Sequence, residues 1–113
     1  MDFDEQLTSA ARLAILAALI SGEAVSFTDL RQVTGLADGN LHVQSRKLAE
    51  AGYLEIVKSS RGRRSITHFR VSELGVAALK LHVRKLQSIL DREEGEIGPT
   101  RAGRRPDDSQ VWS

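Results

Sequence analysis

A chain of 113 residues, 41% hydrophobic and 27% charged, has the composition of one globular domain with a modest core and no room for two ordinary domains. It contains no cysteine, which excludes a disulfide scaffold, a thiolate metal site and thiol catalysis. The net charge of +1 conceals a segregation: residues 1–39 carry −4, residues 40–85 carry +7 and residues 86–113 carry −2, so the middle of the chain suits a polyanion.

The opening MDFDEQ is acidic, unlike a secretory signal. The longest apolar stretch, Leu13 to Ile20, is too short to span a bilayer. A cytoplasmic protein with no membrane partner is expected. The segment Leu7 to Ser21 is rich in alanine and leucine and predicts a helix ending at Ser21-Gly22. Leu13, Ile15, Leu16, Leu19 and Ile20 leave it little polar face, so it should be buried on more than one side, most simply against a second subunit.

Ser26 is placed to cap a short helix with Asp29 in its first turn and Phe27, Leu30 and Val33 as its apolar stripe. Gly35 ends it. Asp38 is a second candidate N-cap, and a helix over about 39–51 follows, with Leu41, Leu48 and Ala49 inward. Two helices joined by about four residues, the first short and closed by glycine, form a helix-turn-helix. Tyr53–Lys58 and Ser65–Val71 then alternate as strands around Ser59-Ser60-Arg61-Gly62-Arg63-Arg64, predicting a β-hairpin with a cationic tip. Val25 is a candidate third strand beside it. Ser72 caps a long last helix whose stripe, Val76, Leu79, Val83, Leu86 and Leu90, repeats every seven residues. That stripe either covers its own domain or packs along a partner helix; self-association is the favoured reading. From Asp91 the periodicity ends, and a disordered tail over 93–113 is expected after a domain spanning 1–92.

The order predicts a mainly α fold with a small β-hairpin (α+β), a winged helix-turn-helix flanked by N- and C-terminal dimerisation helices. The dimerisation candidates are Leu7, Leu13, Leu79, Val83, Leu86 and Leu90.

A recognition helix needs polar side chains on its outer face, since base edges in the major groove carry a readable donor and acceptor pattern. Asn40, His42, Gln44, Arg46 and Lys47 occupy those positions here. Asn40, Gln44 and Lys47 share one face, and His42 and Arg46 an adjacent one. Asparagine and glutamine suit adenine, arginine and lysine guanine. Lys58, Arg61, Arg63 and Arg64 add four positive charges on the hairpin, suited to phosphates or to a narrow minor groove.

The stretches Phe27-Thr28-Asp29-Leu30, Thr34-Gly35-Leu36-Ala37-Asp38-Gly39-Asn40-Leu41, Arg46-Lys47-Leu48 to Gly52-Tyr53, and Thr67-His68-Phe69 to Gly75 resemble the short winged-helix regulators akin to the multiple-antibiotic-resistance-regulator family. The resemblance covers about residues 10–90. It implies a homodimer joined by its first and last helices, and regulation of transcription through double-stranded DNA. Ser45 departs from the leucine usual in the family and is expected to bond back to the Leu41 carbonyl. His42 and Gln44 also differ from the family pattern, which leaves the target sequence open. Larger relatives bind small effectors between the dimer helices and the DNA-binding lobes. This chain has five aromatic residues, with Phe3 and Trp112 near its ends, which counts against such a pocket without excluding it.

The main alternative is a winged helix that binds protein without reading DNA, since fold does not fix function. An enzyme is not expected: no nucleophile, base and orienter set, no phosphate-binding glycine loop and no metal-ligand spacing occur. His42, His68 and His82 fall on three different elements, so no cofactor or metal is expected either.

Overall fold

The computed structural model of the chain describes residues 2–97, with side chains to residue 92. In chain order it comprises a 3-10 helix (Glu5–Leu7), α1 (Ala10–Ala18), β1 (Val25–Ser26), α2 (Phe27–Thr34), α3 (Asp38–Glu50), β2 (Leu54–Arg61), β3 (Arg64–Val71) and α4 (Glu73–Ile97). This is a winged helix-turn-helix, mainly helical with a small antiparallel sheet of order β1-β3-β2.

The first helix is shorter than Leu7 to Ser21. Asp4 caps the 3-10 turn by accepting from the Gln6 amide, and Ser9 caps α1 by accepting from the Arg12 amide. Two consecutive caps break the predicted single helix into two pieces, because each ties up amides that a continuous helix would bond itself. At its other end α1 stops at Ala18, and Gly22 (φ 91°) follows in a separate turn.

The helix-turn-helix forms as expected from Ser26, whose hydroxyl accepts from the Asp29 amide at 3.1 Å, and from Gly35, which closes α2 in the left-handed region at φ 73°. Residues 35–37 make the turn. Asp38 does not cap α3. Ala37 stands at the cap position without a side-chain bond, and Asp38 is the first helical residue. Its carboxylate instead meets Arg31 of α2 at 3.0 Å, bridging the turn while still facing the positive end of α3.

In the wing, β2 and β3 pair from Leu54↔Val71 to Arg61↔Arg64 around a two-residue turn with Gly62 at φ 61°. Val25 and Ser26 pair with Phe69 and His68, giving the third strand. The side-chain alternation puts Leu54, Phe69 and Val71 inward. Ser72 caps α4 by accepting from the Gly75 amide at 3.0 Å and donates to the Gly52 carbonyl at 2.6 Å, which fixes where the last helix leaves the sheet.

One core joins these elements: Leu7, Ile15, Leu16 and Leu19, Leu30 of α2, Leu41 and Leu48 of α3, and Leu54, Phe69 and Val71 of the wing, none more than 6% exposed. Burying each large side chain contributes roughly 1.5–3 kcal/mol, so these ten dominate the stability of the fold.

The chain divides into two units, residues 1–82 and residues 83–113. Leu7, named above for dimerisation, is fully buried in the core of the first, and Leu13 and Leu79 are half-buried against that core. The early part of the α4 stripe therefore covers its own domain. In the second unit, Val83, Leu86 and Leu90 are exposed. Helix α4 continues past residue 92 to Ile97, through helix-forming arginine and glutamate residues and with Gln87 donating to Asp91 at 2.9 Å. The rest of the tail expectation lies outside the described residues.

Candidate nucleic-acid interface

Helix α3 buries Leu41, Ser45 and Leu48 and leaves most of the remaining positions of its first three turns to polar side chains. Asn40, His42, Arg46 and Lys47 are exposed, as the periodicity requires. Val43, also exposed at 51%, adds an apolar tip that the polar pattern did not single out. Such a group matches the methyl of thymine in a major groove.

Gln44 differs from the sequence-based expectation of a free reading residue. It is half-buried, its Oε1 accepts from Arg12 Nη1 of α1 at 2.7 Å, and its Nε2 donates to Asn40 Oδ1 at 3.0 Å. Arg12 in turn donates from Nε to the Gln6 carbonyl at 2.8 Å and from Nη2 to the Glu5 carbonyl at 3.3 Å. Asn40 and Gln44 meet on one face of α3, and Arg12 joins that face to Lys47. Lys47 lines a groove of about 700 Å³ with Glu5, Gln6, Thr8, Arg12 and Glu50. Arg12 carries no signal in the sequence that assigns it to this surface. No periodic signal links two positions that lie on different helices.

His42 takes the other side of α3. Its ring stacks on Phe27 of α2, with centroids 4.5 Å apart and planes 24° from parallel. Phe27 also meets Phe69 of the wing at 6.2 Å. One aromatic row thus links α2, α3 and β3. Ser45 sits inside, 2% exposed, and its hydroxyl donates to the His42 carbonyl at 3.3 Å rather than to that of Leu41. A serine side chain reaches either the third or the fourth preceding carbonyl, and here the nearer one takes it.

The wing presents its charge in two directions. Lys58 pairs in register with Thr67 and belongs to the same face as Leu54 and Ile56. Arg61 and Arg64 are directly opposed across the ladder, on the other face, and Arg63 stands in the turn. Like charges in opposed positions repel, and no acidic residue among the described ones pairs with them; the Arg70–Glu55 contact, at 3.9 Å, lies near the root instead. All four cations are exposed.

Helix α3 and the wing also share a groove. An open groove of about 450 Å³ is lined by Phe27, Thr28 and His42 on one side and by Arg64, Ile66 and Thr67 on the other. His42 and Arg64, remote in sequence, therefore share a concave surface. Of the expected residues, Asn40, Gln44 and Lys47 gather on the Arg12 side, His42 and Arg64 on the wing side. Arg61 and Arg63 extend from the tip.

The profile of the winged helix DNA-binding domain family matches residues 11–90. An uncharacterized protein of Methanocaldococcus jannaschii is 35% identical over 75 residues, which cover 66% of this chain and 82% of that protein. Among solved structures, the transcriptional regulator homologue from Pyrococcus horikoshii OT3 is similar in fold, with a TM-score of 0.73 and 23% identity over 80% of this chain and 90% of the other. YusO of Bacillus subtilis also gives a TM-score of 0.73, at 12% identity over 86% of this chain and 68% of the other. Bordetella bronchiseptica BpsR, whose DNA binding is regulated by 6-hydroxynicotinic acid, gives 0.65 at 22% identity over 86% and 72%.

Proposed function

Because the chain belongs to the winged helix DNA-binding domain family, we propose that it is a sequence-specific regulator of transcription that acts on double-stranded DNA as a homodimer, by binding rather than catalysis. The observation that carries this reading is the shared groove of His42 and Arg64, which lets one duplex touch recognition helix and wing together. In this reading α3 enters the major groove. Asn40, His42, Arg46 and Lys47 face the bases or the adjoining phosphates, with Gln44 behind them. Lys58, Arg61, Arg63 and Arg64 hold the backbone or enter the minor groove.

The dimer reading draws on α4, where Val83, Leu86 and Leu90 recur at helical spacing and are 54%, 44% and 57% exposed. A stripe of that kind is costly in water and is satisfied by a second copy of itself. Two-fold symmetry would set the half-sites about 34 Å apart, one turn of the duplex. The chain would act in the cytoplasm; among the described residues no helix is long and apolar enough to cross a membrane.

Fluorescence anisotropy on palindromic duplexes at several salt concentrations tests the DNA reading. Affinity should fall steeply with salt and fall further in the double variant Arg63→Ala, Arg64→Ala. Affinity indifferent to both would overturn it and favour the protein-binding alternative, which a pull-down recovering a stable partner and no DNA would support. Sedimentation of Leu86→Glu, Leu90→Glu tests the dimer: the variant should run as a monomer where the parent chain runs as a dimer.

A further inference from the structure

The hydrogen bonds from Arg12 through Gln44 to Asn40 run in a direction that the chemistry of the groups dictates. A guanidinium only donates, so the Gln44 atom 2.7 Å from Arg12 Nη1 is the carbonyl oxygen Oε1. The amide nitrogen therefore occupies the other branch, where it lies 3.0 Å from Asn40. A carboxamide nitrogen also only donates, so the Asn40 atom it meets is Oδ1. Asn40 Nδ2 and the second Nε2 hydrogen of Gln44 are left without a partner among the described residues. Arg12 is itself half-buried and anchored on the Glu5 and Gln6 carbonyls, so it cannot easily release Gln44.

We propose that Arg12, a residue of neither the recognition helix nor the wing, is a positioning residue that makes the Asn40–Gln44 edge of α3 a donor edge and so selects guanine over adenine at the base pair this edge meets. The inference rests on the DNA reading above. An unconstrained asparagine pairs with adenine by accepting from N6 and donating to N7. With Oδ1 engaged within α3, the edge offers hydrogens from two amide nitrogens. Guanine presents two acceptors, O6 and N7, in the major groove and satisfies both. Adenine offers N7 as its one acceptor and sets its N6 amino group against the second donor, so that donor and the amino group both go unpaired, at the cost of desolvated polar groups. The expectation that Asn40 and Gln44 each suit adenine holds for isolated side chains and is reversed by their coupling to Arg12.

Selection of bound sequences from random duplex DNA, with the full chain and with Arg12→Met, Arg12→Lys and Gln44→Glu, tests this. The parent chain should enrich guanine at one position per half-site, over adenine by about ten-fold, the scale of one bidentate contact. Arg12→Met should shrink that ratio several-fold at that position alone. Arg12→Lys replaces one pure donor by another and should retain it. Gln44→Glu keeps the bond to Arg12 but cannot donate; Asn40 Nδ2 then turns inward, Oδ1 is exposed, and selection should move to adenine or cytosine, whose amino groups donate. A guanine preference unchanged in both Arg12→Met and Gln44→Glu, or a parent chain that selects adenine there, overturns the inference and leaves the DNA reading standing. A parent chain that enriches no sequence overturns both. Thermal melts of each variant report folding; should Arg12→Met not fold, Arg12→Lys and Gln44→Glu decide the matter by their opposite expected outcomes.

Discussion

Tyr53 donates its phenol proton to Asp4, tying the residue just before β2 to the residue just before the 3-10 turn. The same carboxylate accepts from the Gln6 amide at 2.9 Å, so one side chain caps the 3-10 turn and holds the root of the wing. The bond to Asp4, then burial, then the charge of Asp4 push the phenol from 10.0 up to about 12. The folded value lies above the unfolded one, so the protonated phenol is the stabilising form. Its contribution is complete below pH 10 and is lost as pH rises through about 12. Tyr53 is the chain's single tyrosine, so phenolate absorbance reads it without overlap from another. A folded-state midpoint near 12 is expected, and Tyr53→Phe should flatten the stability profile over that alkaline window. A midpoint at the ordinary tyrosine value in the folded protein would refute the linkage.

Gly75 lies in the first turn of α4, where a Cβ would sit 2.1 Å from the Tyr53 carbonyl oxygen and 2.9 Å from Val71 Cγ2. Alanine is normally the better helix former by about 1 kcal/mol. Here the obstacle is backbone, which cannot swing aside, and the clash outweighs that preference. Gly75→Ala should destabilise the protein by about 2–3 kcal/mol in urea denaturation, the usual scale of overpacking. A stabilised variant would show that α4 can shift away from the wing root.

Ser45 presents the opposite case. It is 2% exposed, but its hydroxyl makes only one long bond, 3.3 Å, to the His42 carbonyl. That carbonyl belongs to a helix interior and keeps its backbone partner when the hydroxyl is removed. Ser45→Ala should therefore change stability by no more than about 0.5 kcal/mol and in the stabilising direction, through helix propensity. A loss beyond about 1 kcal/mol would mean that the hydroxyl supports α3 in a way that its one bond does not account for.

Arg61 and Arg64 face each other across the wing ladder, and no acidic residue among the described ones pairs with either. Removing one relieves a repulsion in the free protein and, in the proposed complex with DNA, removes a phosphate partner. Arg61→Ala should leave melting unchanged or slightly raised while the slope of log affinity against log salt falls by about one. The two measurements moving in the same direction would contradict a role in holding phosphate.

Replacing Leu41, fully buried in the first turn of α3, tests how firmly the core holds the exposed face of that helix. Leu41→Ala should cost about 2–5 kcal/mol, as truncation of a buried leucine does. The neighbouring exposed change Val43→Ala should alter stability by less than about 0.5 kcal/mol. If both changes cost alike, α3 is not packed as its burial pattern indicates.

Much of this protein is decided locally and was readable from residue order. Ser26 and Ser72 cap their helices, Gly35 adopts the left-handed conformation that closes α2, and the alternation from Ser65 to Val71 puts Phe69 and Val71 inward, because each depends on neighbours a few positions away. Where a local rule had competitors, tertiary contacts chose. Asp38 gave up the cap position for Arg31, two consecutive caps split the first helix, and Leu7 entered the core of its own chain. The donor or acceptor sense of the Asn40–Gln44 edge was beyond any local rule. Asn40 and Gln44 are each able to donate or accept, and spacing alone leaves both options open. Only the packing of α1 against α3 brings the guanidinium of Arg12 to Gln44 across 32 positions of sequence, and a group that can only donate then settles which atoms face outward.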